Sequence, residues 1–246
     1  MEKRNLLITY ALKYQGHYQK VLQAYQNNEQ VIGKYPIVDA ITILDEDYPK
    51  LLLDLQQPPL VLFYKGNRSL LKNPKISIVG SRIISDYGMR VTKELTNCLK
   101  YKYTIVSGLA KGVDQYSHYY ALNQGNTIGV LGCGIDYIYP QSNQYLFDIM
   151  SKNQLIISEF PGMVKPLKHH FPWRNRIIAG LSDKLIVTQA KLASGTMLTV
   201  NEALKINRDI YTIPYQIDDP NGTGCNALIQ EGANIILTYD INVFSI

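Results

Sequence analysis

Short, apolar, β-branched runs recur along this chain of 246 residues, and their spacing constrains the fold more than any other feature. They occupy residues 76–79, 103–106, 127–131, 155–157, 185–187, 210–213 and 235–237. None alternates strictly between apolar and polar residues, as a strand with one wet face would. Between most of them lie segments of helical periodicity, such as Val91, Leu95, Cys98, Leu99 or Leu198, Ala203, Leu204. Strands buried on both faces and joined by crossover helices predict an α/β fold built on a doubly wound, mostly parallel sheet, the last run serving as an edge strand. At this length one such domain with a small appendage is expected.

The appendage is legible ahead of the runs. Leu6, Leu7, Tyr10, Ala11, Tyr14 and then Tyr18, Val21, Leu22, Tyr25 mark two short helical faces interrupted at Gly16. Pro36, Pro49 and the Pro58-Pro59 pair follow, then a strand-like run at 60–64. The expected division is a short helical appendage over 1–35 and the sheet domain over 36–246.

Composition removes several classes. Cys98, Cys133 and Cys225 are odd in number and lack any C-x-x-C spacing, which excludes a disulfide framework or a tetrahedral zinc site and predicts small buried thiols. The amino terminus has a basic start, but its apolar run breaks at Lys13 without a small-residue cleavage site, so no signal peptide is read. No stretch approaches the roughly 18 apolar residues of a membrane span. A cytoplasmic protein without membrane insertion is expected. The net charge of +5 names no partner until it is placed along the chain.

In an open parallel sheet the ligand crevice lies at the carboxyl ends of the strands. Three of the loops there carry glycine: Gly80-Ser81-Arg82, the segment from Ser107 and Gly108 to Asp114, and Gly132-Cys133-Gly134. Glycine lets a backbone approach a phosphate closely, and a following helix aims free N–H groups at the same point. A glycine that merely satisfies a turn is the alternative for each loop. Neither G-x-G-x-x-G nor a Walker P-loop occurs, which argues against a dinucleotide oxidoreductase or an NTPase. A second concentration, from Lys165 to Gly180, interleaves Lys168, Arg174 and Arg176 with Phe171 and Trp173. Such a pattern suits single-stranded nucleic acid, whose phosphates need cations and whose bases need a π face. The competing reading puts the aromatics in the core and pairs the arginines with carboxylates such as Glu159. Ser194-Gly195-Thr196, with Thr199 one turn on, reads as a helix cap or a phosphate cradle. Ser81, Ser107 and Ser194 lie in no nucleophile elbow, and His118 is expected on a helix after Asp114. His169 and His170 have no partner spaced to complete a metal site.

The segments VGSR (79–82), SGLAKGVDQYSH (107–118), GVLGCGIDYIYP (129–140), ISEFPG (157–162), FPWRNRIIAGLSD (171–183), ASGTMLT (193–199) and GTGCNALIQEGA (222–233) together resemble the DNA-processing protein A family. The likeness runs in order from about Tyr48 to Ala233. It implies an extended Rossmann-like fold that binds single-stranded DNA, protects it, and hands it to RecA recombinase during natural transformation. It further implies a homodimer that is not an enzyme and needs no cofactor. Gly80, Ser81 and Arg82 match the family's phosphate-contacting G-S-R, and Gly108 lies in its S-G-L-A loop. Lys168 and Phe171 fall where the family has a basic residue and a base-stacking aromatic. Arg174, Asn175 and Arg176 match its R-N-R, and Ser194, Gly195 and Thr196 its S-G-S/T. The chain departs from the pattern at Gln189-Ala190 for Glu-Ala, Asn207-Arg208 for Gly-Arg, and Pro214-Tyr215 for Pro-Gly. The amino-terminal helical region is shorter than the family's, and no carboxyl-terminal winged helix is expected.

A nucleoside-monophosphate phosphoribohydrolase-like enzyme is the alternative on the same kind of sheet. The signature of that group ends in a helical Glu, where this chain has Thr199. A duplex binder lacks support, since neither a basic helix-turn-helix nor an RNP motif is visible. The charge can also be placed. Between Lys165 and Lys191 stand six Lys and Arg against Asp183 alone, while the remaining 19 basic and 19 acidic residues balance.

Overall fold

The computed structural model describes residues 2–31, 33 and 35–244; the outermost expected boundaries, residues 1 and 246, lie outside the described residues. Two helices, α1 (Lys3–Lys13) and α2 (Tyr18–Gln26), lead into β1 (Ala40–Thr42) and β2 (Val61–Gly66). Strand and helix then alternate through β3 (Lys75–Gly80), α3 (Asp86–Leu99), β4 (Thr104–Ser107), α4 (Val113–Ala121), β5 (Thr127–Val130), α5 (Gln144–Asn153) and β6 (Leu155–Ser158). The chain continues as α6 (His170–Gly180), β7 (Lys184–Gln189), α7 (Gly195–Lys205), β8 (Asp209–Thr212), α8 (Thr223–Gln230) and β9 (Asn234–Ile235).

Among the described residues the strands form one sheet in the order β1-β2-β6-β5-β4-β3-β7-β8-β9. From β6 to β9 every pairing is parallel. β2 joins β6 antiparallel, and β1 joins β2 antiparallel. The expected α/β, doubly wound architecture is therefore present, with β9 at one edge. β1 was not anticipated, because three residues are too few to show a period.

Both faces of the parallel strands are apolar, which explains the runs without alternation. Ile76, Ile78, Ile105 and Ile186 pack beneath α3 and α4. Their neighbours Val79, Val106, Leu185 and Val187 face the other way, onto Ile177 and Ala179 of α6 and Val200 and Ala203 of α7. The amino-terminal helices share the sheet's core: Leu7, Tyr10, Val21 and Ala24 pack with Val61 and Phe63 of β2 and Met150 of α5. At about 1.5–3 kcal/mol for each large buried side chain, that contact holds the pair firmly to the sheet. Arg4 adds an ion pair to Asp45 at 2.7 Å.

The winding direction reverses at β3. Strands β4, β5 and β6 extend to one side of it and β7, β8 and β9 to the other. Such a switch point opens a crevice between the loops that leave the two central strands.

Candidate nucleic-acid interface

The crevice is built from loops that hold one another. Gly80 ends β3 against Gln189 across a register irregularity at Val79/Gly80. The Ser81 amide donates to the Gln189 carbonyl at 2.8 Å, and the Val113 amide donates to the Ser81 carbonyl at 3.1 Å. A Cβ on Gly80 would come within 2.5 Å of Val113 Cγ2 and 2.9 Å of the Gln189 carbonyl oxygen, so the close crossing requires glycine. Gln189, one of the departures from the family pattern, ties down the next stretch. Its Oε1 accepts from the Ser85 amide and hydroxyl, both at 2.9 Å, while its Nε2 donates to the Ile83 carbonyl at 3.0 Å. An amide serves both roles; a carboxylate has no donor for Ile83. The loop is thereby fixed with Arg82 exposed at its tip.

Arg82, Gly108, Lys111, Tyr139, Phe171 and Arg174 line a cavity of about 100 Å³ at this place, floored by Leu131 and Gly132. The Arg82 guanidinium lies 5.6 Å from the centroid of Phe171, whose ring sits 5.3 Å from that of Tyr139. Phe171 lies in the first turn of α6 and rests on Gly132, where a Cβ would meet its ring at 2.9 Å. The result is a half-buried aromatic face flanked by two exposed cations, Arg82 and Lys111. A base fits the ring and a phosphate fits the cations.

Beneath the cavity Arg174 is buried, 4% exposed, and donates from Nη1 to the Val130 carbonyl at 2.8 Å. Gly108 makes room for it, since a Cβ there would overlap the guanidinium. Asp114 faces Arg174 across Gly108. Burial raises the Asp114 carboxyl above its usual range, and Arg174 opposes the rise. His118, on α4 as expected and fully buried, is pushed down to about 3 by burial and by the Arg174 charge, and shares a 2.6 Å hydrogen bond with Thr127. Cys133 is pushed up to about 12 by burial, which makes its thiol inert. Of the other two cysteines, Cys225 is buried, while Cys98 is half-buried and not enclosed as expected.

Arg176 belongs to the opposite side of α6. It is 5% exposed, and its Nη2 donates to both oxygens of Glu159 at 2.7 Å. Its guanidinium plane covers Trp173 at 4.1 Å. The pairing with Glu159 that the sequence left open as a competing reading is thus present for Arg176.

Apart from Arg176, which lies with Glu159, the expected residues fall into three groups. Arg82, Gly108, Phe171 and Arg174 converge on the cavity, with Gly80 and Ser81 shaping its rim. Lys168 stands exposed ahead of α6, and Asn175 is half-buried on that helix. Ser194 precedes α7 without capping it, and its Oγ has no protein partner; Gly195 has open space around its Cα, and Thr196 is buried. Lys111 and Tyr139 were not singled out. Lys111 could have been found from its place between two glycines after β4, whereas Tyr139 reaches the cavity only through the tertiary path of the chain. No group of three or more His, Cys, Asp or Glu among the described residues is arranged to hold a metal ion.

The chain matches the DNA recombination-mediator protein A family over residues 39–244. It is 45% identical over 204 residues to DNA processing protein DprA of Streptococcus pneumoniae, a match covering 82% of this chain and 71% of that protein. It is 41% identical over 222 residues to DNA processing protein DprA of Bacillus subtilis, covering 88% and 75%. The X-ray structure of the Streptococcus pneumoniae protein superposes with a TM-score of 0.82 at 37% identity, over 96% of this chain and 90% of that one. The structure of DNA processing protein A from Helicobacter pylori, which describes that protein's single-stranded DNA binding mode, gives 0.77 at 32% identity, over 85% and 95%. Sequence match, fold and the joint placement of the G-S-R and R-N-R segments agree: the chain belongs to the DprA/Smf family of DNA recombination-mediator proteins.

Proposed function

We propose that this protein binds single-stranded DNA across the carboxyl ends of β3, β4, β5 and β7 and passes it, protected, to RecA recombinase during natural transformation. The observation that carries this reading is the Arg82–Phe171 cavity at the switch point, where a fixed cation overhangs an accessible ring. Arg82 and Lys111 take phosphates at its mouth and Lys168 takes one beside it, while Phe171 stacks a base. Gly80, Ser81 and Gly108 allow the strand's backbone to approach. Arg174 and Arg176 hold α6 in position from within, and Asn175 lies between them on its half-buried side. Ser194, Gly195 and Thr196, at the free amino end of α7, offer a second phosphate cradle. The protein works as a binding mediator without turnover, as a homodimer in the cytoplasm, and no helix among the described residues is long and apolar enough to cross a membrane.

Fluorescence anisotropy with a labelled single strand, competed by a duplex of the same sequence, tests the reading. Arg82→Ala removes a charge-assisted contact of about 1.5–3 kcal/mol, which is a roughly ten- to hundredfold loss of affinity, and flattens the salt dependence. Phe171→Ala weakens binding by a similar amount with little change in that dependence. Unchanged single-strand affinity in Arg82→Ala sinks the site. Release of free base from a nucleoside monophosphate would revive the enzymatic alternative.

A further inference from the structure

The strongest feature outside the cavity is a groove of about 730 Å³ between the α1–α2 turn and the amino end of α6. Its size falls within the range of pockets that take whole small molecules, roughly 300–1,000 Å³. Basic side chains line it at Lys13, His17, Lys20, His169 and the buried His170, and rings line it at Tyr14, Tyr18, Phe160 and Trp173. No carboxylate is among its lining residues. Lys13 is already held by Glu29, but Lys20 and His17 are exposed. Trp173 has the Arg176 guanidinium over one face of its ring and makes a T-shaped contact with Tyr18, the centroids 5.7 Å apart.

The groove and the cavity are lined by neighbouring residues of one short stretch of chain. Leu167 and His169, on either side of Lys168, line the groove, and two residues later Phe171 lines the cavity. Trp173, one half-turn beyond Phe171, faces back into the groove. We infer that a single strand leaving the Arg82–Phe171 cavity crosses Lys168 and continues into this groove, where Lys20 and His17 meet its phosphates and Trp173 and Tyr18 its bases. The inference rests on the single-stranded DNA reading of the cavity. An exposed lysine and hydrogen-bonding imidazoles set among ring faces, with no carboxylate in the lining, suit such a strand, whereas a rigid duplex does not use the rings.

Two oligothymidines test it, a short one of about 4 nucleotides that covers the cavity and Lys168 and a long one of about 20 that reaches the groove. Lys20→Glu and His17→Glu change exposed residues and leave the core intact. Each is expected to weaken the long strand about tenfold and leave the short one within twofold. Trp173 is the chain's single tryptophan, so its fluorescence reports the groove directly. The long strand should quench it strongly in the parent protein and weakly in Lys20→Glu. Equal losses for both lengths, no loss for either, or quenching unaffected by Lys20→Glu overturns the inference, the last two being what a groove reserved for a protein partner gives. Arg82→Ala separates the two readings: it must weaken both lengths, and if it weakens neither, the cavity assignment fails whatever the groove does.

Discussion

Arg174 and Arg176 stand two positions apart on one helix and look interchangeable in sequence, yet each is buried on a different side with a different partner. Periodicity places both on α6, but a side chain's burial depends on what the sheet puts beneath it, and Val130, Asp114 and Glu159 come from elsewhere in the chain. Breaking a buried ion pair from one side leaves an uncompensated charge, at about 3–5 kcal/mol. Glu159→Gln should therefore lower the urea unfolding free energy by several kcal/mol, while Glu159→Met with Arg176→Met regains most of it. If Glu159→Gln costs under 1 kcal/mol, the pair is not holding α6. His118 gives a pH signature. Its native pKa of about 3 lies below the 6.5 of an unfolded histidine, so between these values the unfolded chain binds a proton that the native state does not. The stability it confers is complete above pH 6.5 and is lost as pH falls. By pH 5 the loss is about 2 kcal/mol relative to pH 7. Urea titrations at both pH values should show this slope in the parent protein and its absence in His118→Gln; equal slopes would mean that His118 is not held neutral.

The elements were legible where their pattern was long or repeated. The runs appear as strands because each is apolar on both faces, and the amino-terminal helices divide at Gly16, which takes φ +76°. β1 escaped because it exists only through pairing with β2. The departures from the family pattern also become intelligible. Asn207 follows α7 with φ +55°, a left-handed conformation in which asparagine stands in for glycine. Tyr215 replaces a glycine yet is buried, its hydroxyl donating to the Thr188 carbonyl at 2.7 Å and its ring set edge-on to Tyr87 at 4.9 Å. Gln189 links the end of β7 to the loop after β3, and no local signal revealed that. Gln189→Ala removes three hydrogen bonds that fix Ile83 and Ser85. The loop then samples other positions of Arg82, and single-strand affinity should fall about tenfold while the global fold persists. Amide hydrogen exchange at residues 81–85 should rise in the variant; unchanged exchange and affinity would mean that the loop is held by the main-chain crossing of Ser81 with Gln189 and Val113 and by the bonds of the Ser81 hydroxyl to Ile83.

Across the whole molecule, the sequence and the structure weigh the same charges differently. Six basic residues crowd the segment from Lys165 to Lys191, and if all of them met phosphates the salt slope for a single strand, at about −0.7 per contact, would be near −4. Two of the six are buried, one of them neutralised by Glu159. The cations that frame the cavity are instead Arg82 and Lys111, from segments the charge count treated as balanced, joined by Lys168 from the basic stretch. Three contacts give a slope of about −2. The fold thus moves the electrostatic site away from where the sequence concentrates charge and onto the switch point, where the ring of Phe171 is also available. A logarithmic plot of affinity for a short oligothymidine against salt concentration decides between the two counts. A slope near −2 that Lys111→Ala makes shallower by about 0.7 supports the structural one. A steeper slope that Lys111→Ala leaves unchanged would mean that the phosphates run along the Lys165–Lys191 stretch and not across the mouth of the cavity.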